Sequence, residues 1–177
     1  MNIFAVSGVA VGMMVGVIII VALFKFANTN RAVKTEYDER QLALRYKGYR
    51  VGFWTMLVYE VVMIVLDIGG IRIPAEAFVI HFGAVVAGCL GLSIHSIWND
   101  VYWGLNNNRR RYLVVFAVLF LINAVPVVNA VSEGTMFKDG KLSTASINLM
   151  VAILILVIGA VLLIKQLADR KAEANED

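Results

Sequence analysis

The sequence predicts an all-α protein, a polytopic transmembrane bundle of five helices with its N-terminus outside and its C-terminus cytoplasmic. Of its 177 residues, 60% are hydrophobic and only 16% are charged, whereas an average soluble domain carries roughly 25% charged residues. The charges gather in a few short stretches. The segments between them reach the length of about 20 apolar residues that a helix needs to cross the hydrocarbon core. They use nearly the whole chain, which predicts a single membrane domain over residues 1–177.

The spans are predicted in order at 3–26, 51–68, 77–98, 112–131 and 144–164. The first span has no preceding Lys or Arg, unlike a secretory signal, so we expect a retained helix. Thr35 and Asp38 resemble a capping box, which predicts a cytoplasmic linker helix over 35–50 that continues into the second span. Gly69 and Pro74 predict the turn into the third span. Polar loops are predicted around the asparagines and arginines at 106–111 and over 132–143.

The distribution of positive charge predicts the orientation, because Lys and Arg near span ends favour the cytoplasmic side. With five spans, thirteen of these residues fall on one side, in the stretches 25–50, 109–111 and 165–171. The other side keeps three, which are Arg72, Lys138 and Lys141. This bias predicts that the N-terminus lies outside.

Small residues predict where helices approach closely. Gly8, Gly12 and Gly16 repeat every four residues along one face of the first span, a pattern typical of helix contacts in membranes. Packing within one chain and homo-oligomerisation both remain open for this face. Gly88, one turn from Ala84, gives the third span a similar packing surface and predicts a central helix.

Four of the polar residues inside predicted spans are candidates for an intramembrane site, because a polar group in the hydrocarbon region is costly. They are Glu60 and Asp67 in the second span, His81 in the third and Asn123 in the fourth. Depth along antiparallel helices predicts that Asp67 and His81 lie near the outer surface, with Glu60 deeper at the level of Cys89 and Asn123. An intramembrane proton or cation site centred on Glu60 is one interpretation. A structural hydrogen bond to a neighbouring helix is the other. Asn123 is also near enough to Pro126 to help satisfy a local kink.

Two unusual tracts are predicted on the cytoplasmic face. The first, residues 37–41, contains Asp38, Glu39 and Arg40, and the second, residues 104–112, contains Asn107 followed by the basic run of Arg109, Arg110 and Arg111. The arginines are explained by topology and by anionic lipid head groups, but the acidic pair and the asparagines are not. Ion pairs that join the two tracts are one interpretation, and a docking surface for a protein partner is the other.

These tracts carry a resemblance to a known group of proteins. The Asp-Glu-Arg-Gln tract at 38–41 and the Leu-Asn-Asn-Asn-Arg loop at 105–109 are similar to those of small uncharacterised multi-pass membrane proteins of Gram-positive bacteria. The resemblance covers about two-thirds of the chain. It implies a bacterial cytoplasmic membrane protein, often encoded beside a small helix-turn-helix regulator, and it provides no catalytic residues.

Motifs of the common enzyme classes are missing from the sequence, including a phosphate-binding glycine loop and a His-Glu-x-x-His zinc motif. We therefore expect no enzyme, no cofactor, no metal and no direct nucleic-acid partner. The leading hypothesis is a non-enzymatic protein that anchors or modulates a partner through its cytoplasmic face, in contact with anionic head groups. The alternative is a small transporter or ion-conducting subunit that uses Glu60.

Overall fold

A computed structural model describes residues 3–174, with side chains from residue 11 onward except at residue 13. The chain divides into two compact units. Unit 1 comprises Met1–Asp38 and Trp103–Phe116, and unit 2 comprises Glu39–Tyr102 and Ala117–Asp177.

The elements in chain order are mostly helices: α1 (Ile3–Ala27), α2 (Glu39–Ile68), α3 (Ala77–Trp98), α4 (Arg109–Ser132), strands β1 (Phe137–Lys138) and β2 (Lys141–Leu142), a 3₁₀ turn (Thr144–Ser146) and α5 (Ile147–Glu173). In the part of the chain that the structure describes, four helical segments are long and apolar enough to cross a membrane: Glu39–Ile68, Ala77–Trp98, Arg109–Ser132 and Thr144–Glu173. Their surfaces agree with that environment, because large apolar side chains are exposed along each of them. Within α1, Met14–Ala27 is a shorter apolar stretch. The all-α prediction is confirmed at this level.

The residues predicted as a linker helix form the first part of α2, except at the start. Helix α2 runs unbroken for 30 residues and begins at Glu39 rather than near Thr35. The reason is that the preceding residues are held in another conformation: the Glu36 N–H donates to the Asn106 side-chain oxygen over 2.9 Å, and the Glu36 carbonyl accepts from Leu105 N–H over 2.8 Å. Those bonds remove the main-chain groups that an earlier helical turn would need.

Helix α3 packs against both α2 and α5 within unit 2. It meets α2 where glycines face each other, since a Cβ on Gly52 would lie 2.9 Å from the Gly88 carbonyl oxygen. A Cβ on Gly83 would lie 2.9 Å from Tyr59 Cζ. Gly52 therefore needs glycine, because a Cβ there would collide with the main chain of α3, whereas the atoms nearest to Gly83 belong to the end of the Tyr59 side chain, which can move.

Two local features differ from the predicted loops. Arg109–Arg111 form the first turn of α4. The segment after α4 contains the β1–β2 hairpin, whose turn residues Asp139 and Gly140 both have positive φ, 50° and 74°. This conformation suits an Asp-Gly pair, a signal for a two-residue hairpin turn.

Candidate functional site

The side chains of Glu60 and His81 meet between α2 and α3. His81 Nδ1 lies 3.1 Å from Glu60 Oε1 and 3.2 Å from Oε2. The His81 side chain is 67% exposed and that of Glu60 is 30% exposed. The pair is therefore in hydrogen-bonding contact and is still reachable from outside the helix packing.

The pair lies in the wall of a cavity of about 450 Å³ within unit 2. Most of the lining is apolar and comes from the end of α2, the segment after it and the start of α3. The other polar residues of the lining are Asp67, Arg72 and Lys141. Two carboxyl groups, one imidazole and two fixed cations thus share one largely apolar cavity, and we call it the Glu60–His81 cavity.

Lys141 reaches this cavity because the hairpin is bound to the α2–α3 connection. Leu142 N–H donates to the Pro74 carbonyl over 2.8 Å, and Glu76 N–H donates to the Leu142 carbonyl over 2.9 Å. A Glu76 carboxylate oxygen also accepts from Thr144 N–H over 3.1 Å. These bonds attach the start of α5 and the hairpin to the same end of α3.

The predicted depth pairing of Asp67 with His81 was wrong. Three contacts fix the register of the antiparallel helices α2 and α3: Gly52 with Gly88, Tyr59 with Gly83 and Glu60 with His81. In each contact the two residues are nearly equally far along the chain from the Gly69–Gly70 turn. In that register, Asp67 lies opposite the connection between the helices, about 10 Å along α2 from Glu60.

Asn123 takes no part in the cavity lining. Its side-chain N–H donates to the Leu119 carbonyl over 2.7 Å, one turn earlier in α4. It therefore does not bind the Ile122 carbonyl that Pro126 leaves without its usual partner.

Asparagines of the segment after α1 and of the second tract form a network with Tyr112 within unit 1, which we call the asparagine latch (Asn28, Asn30, Asn106, Asn107 and Tyr112). Asn28 is fully buried. Its side chain donates to the Ala32 carbonyl over 2.8 Å and accepts from Asn107 Nδ2 over 2.7 Å. Asn107 Nδ2 also lies 3.3 Å from the Tyr112 hydroxyl.

Asn106 completes the latch on the other side of the loop. Its amide donates to the Asn30 side chain over 3.1 Å and to the Lys34 carbonyl over 3.0 Å. Gly104 permits this approach, because a Cβ there would lie 2.6 Å from the Glu36 carbonyl oxygen. The Asn-Asn-Asn sequence is thus explained by contacts inside the chain, and Asn107 is engaged in them.

The three arginines of the basic run differ in their surroundings. Asn108 caps α4, since its side-chain oxygen accepts from Arg111 N–H over 3.1 Å. The Arg111 guanidinium donates to the Phe26 carbonyl over 3.3 Å and lies 5.8 Å from the centre of the Phe26 ring. Arg109 and Arg110 are exposed on the first turn of α4. Asp38 is exposed just before α2, and Glu39 and Arg40 are exposed at the start of α2.

The predicted packing glycines have different environments. Gly88 lies against Gly52 as described above. A Cβ on Gly12 or Gly16 would meet no atom within 4 Å in the described part of the chain, so this face is open there. The surroundings of Gly8 lie outside the described side chains.

Sequence reasoning missed three charged residues that take part in specific contacts. Arg72 and Lys141 entered only as charges in the topology count, although both line the Glu60–His81 cavity. Lys165 Nζ lies 2.7 Å from Asp169 Oδ1 and 3.4 Å from Asp100 Oδ1, which joins the end of α3 to α5. The i,i+4 spacing of Lys165 and Asp169 was the available signal for part of this contact.

Comparison of the chain with protein-family models, with curated proteins and with solved structures gives no match. The functional argument therefore depends on the residues themselves.

Proposed function

We propose that the protein is a non-enzymatic, multi-pass protein of a bacterial cytoplasmic membrane, with five spans and its N-terminus outside. The four long apolar helices support membrane insertion. The excess of Lys and Arg in alternate connections supports the orientation and the use of α1 as a fifth span. The bacterial source is inferred from the resemblance of the two tracts.

Within that protein, we propose that the Glu60–His81 pair is a proton-linked cation site of a small transporter or ion-conducting subunit. The contact of 3.1 Å in the wall of an accessible cavity carries this proposal. The function ranks ahead of partner docking because the latch and the Phe26 carbonyl engage Asn107 and Arg111, two of the residues expected to dock a partner.

The chemistry follows from how the pair holds a proton. With one shared proton, Glu60 and His81 together are neutral, whether as a carboxylate with an imidazolium or as a carboxylic acid with an imidazole. When the proton leaves, the pair carries one negative charge, which is costly in an apolar setting. A monovalent cation bound at the pair would return the charge of the pair itself to zero, whereas Arg72 and Lys141 balance the negative charges of the cavity as a whole. Binding of the proton and binding of the cation are therefore mutually exclusive, as proton–cation exchange requires.

A flux experiment tests this function. Purified protein is reconstituted into liposomes that contain a pH-sensitive dye, and K⁺ or methylammonium is added outside. The wild type should release protons from the lumen. Glu60→Gln should reduce that proton flux at least about tenfold, because an amide side chain cannot bind and release a proton as a carboxyl group does. Glu133→Gln is the matched control, since Glu133 is an exposed acid that does not line the cavity. Equal flux in wild type and Glu60→Gln would refute the proposal.

Docking of an acidic protein partner through Arg109 and Arg110 is a second candidate. Their exposure on the first turn of α4 supports it, because positive charges are unfavourable at a helix N-terminus and so need another source of stabilisation. Affinity capture from cells that express wild type or Arg109→Gln/Arg110→Gln tests it. Recovery of the same proteins by both versions would argue against docking here.

A further inference from the structure

A shallow groove that is largely open to the outside, with a volume of about 630 Å³, runs along one face of α2 near its N-terminal end. We call it the α2 groove, and it is lined by Lys47, Arg50, Val51, Trp54, Thr55 and Val58. This spacing of three and four residues places all six on one side of the helix. The groove faces about a third of a turn away from the side where Gly48 and Gly52 meet α3. The groove borders the α2–α3 contact at Thr55, since a Cβ on Gly91 would lie 2.7 Å from Thr55 Oγ1, and its other residues face away from that contact.

The polar groups of the α2 groove favour an anion. Lys47 and Arg50 carry positive charge, and the Trp54 indole N–H is only a donor. The Thr55 hydroxyl donates to the Val51 carbonyl over 2.8 Å, within the helix. None of the residues that line the groove is acidic. An anionic oxygen between Lys47 and Arg50 would thus meet donors and cations.

The apolar part of the α2 groove favours a hydrocarbon chain attached to that anion. From Lys47 to Val58, the groove covers about 16 Å along the helix axis, and its charges are at one end. Trp54 is 59% exposed and Val58 is 58% exposed. A Trp below two cations is the arrangement of residues at a membrane interface, where the indole lies at head-group level. Continuation into an apolar helix favours an occupant with an anionic head and a hydrocarbon chain.

We propose that the α2 groove is a binding site for an anionic phospholipid. Its phosphate lies between Lys47 and Arg50, and one acyl chain runs past Trp54 along Val51 and Val58. Charge complementarity at one end and exposed apolar side chains at the other support this occupant over a soluble anion or an acidic peptide. The site does not depend on the function proposed for Glu60.

Native mass spectrometry of the full-length protein in detergent tests the site, with phosphatidylglycerol and phosphatidylcholine as probes. The wild type should retain phosphatidylglycerol preferentially. Since each interfacial cation contributes about fivefold in affinity, Lys47→Gln/Arg50→Gln should lower phosphatidylglycerol affinity about thirtyfold. Arg170→Gln/Lys171→Gln is the matched control because it removes the same charge from exposed positions at the end of α5, outside the groove, and it should bind nearly as wild type does.

Two further measurements distinguish a lipid site from a folding defect and from a site for soluble anions. Lys47→Arg/Arg50→Lys retains both charges and should bind as the wild type does, and each single glutamine variant should lose about fivefold. These variants separate lost binding from lost folding. Soluble glycerophosphate in large excess should leave the bound lipid in place. Equal losses in the two double-glutamine variants, or displacement of the lipid by glycerophosphate, would overturn the proposal.

Discussion

Replacing Asn28 with alanine should open the asparagine latch. The Asn28 side chain is fully buried, and its two shortest bonds, to Asn107 and to the Ala32 carbonyl, measure 2.7 and 2.8 Å. The substitution leaves one donor and one acceptor without these partners. Each group without a partner costs about 1 kcal/mol, the lower end of the usual range for an unsatisfied buried group. The closed latch therefore loses about 2 kcal/mol of stability relative to the open form. That corresponds to an about thirtyfold higher population of the open form.

Tryptic cleavage after Lys34 measures this opening. The Lys34 carbonyl accepts from the Asn106 amide over 3.0 Å, so a protease can bind this segment only after the latch releases it. When opening and closing are fast relative to cleavage, the cleavage rate follows the open population. Asn28→Ala should therefore be cut after Lys34 about thirty times faster than the wild type. Asn129→Ala removes an exposed asparagine from α4 and should be cut at the wild-type rate. Equal rates for the two variants would refute the latch argument.

Two glycine substitutions should affect other parts of the fold. Gly52→Ala places a Cβ 2.9 Å from the Gly88 carbonyl oxygen and should destabilise the α2–α3 contact by about 1–3 kcal/mol. Gly159→Ala is the control, because a Cβ there meets no atom within 4 Å in the described chain, and it should leave the stability unchanged. Gly140→Ala forces a side chain onto a residue with φ of 74° and should cost about 1–2 kcal/mol. Thermal unfolding in detergent measures these effects, and a melting temperature of Gly52→Ala equal to that of Gly159→Ala would contradict the first.

The apolar helices could be predicted from the sequence because a membrane span is recognised from about twenty consecutive residues that are apolar and nearly uncharged. The predicted span 77–98 coincides with α3, Ala77–Trp98. Boundaries shifted where distant contacts intervene. Thr35 looked like the start of a helix, but the Glu36 main chain pairs with the loop at Leu105 and Asn106, about seventy residues later in the sequence. A local capping pattern contains no information about such a partner.

The same limit of sequence-based prediction applies to the residues of the candidate site. Glu60 and Asp67 are seven residues apart, which is about two helical turns and places both on one face of α2, and both line the cavity. Periodicity did not select His81 as the partner of Glu60, since that depends on the antiparallel register. The register in turn depends on the close approach at Gly52 and Gly88. Residue spacing along one helix therefore gave the face, and only packing against a second helix gave the pair.

The basic run at the start of α4 has one arginine that contacts α1 and two that are exposed. The last carbonyls of a helix have no partner within it, and at the end of α1 they are met by donors from the second tract: Ala27 by Asn108 N–H over 3.0 Å and Phe26 by the Arg111 guanidinium. The negative end of α1 thereby offsets the positive charge of Arg111. The exposed side chains of Arg109 and Arg110 each cost roughly 0.3–1 kcal/mol next to the positive end of α4. An anionic surface outside the chain would offset that cost. These two residues are therefore where a membrane head group or an acidic partner should have its largest effect on unit 1.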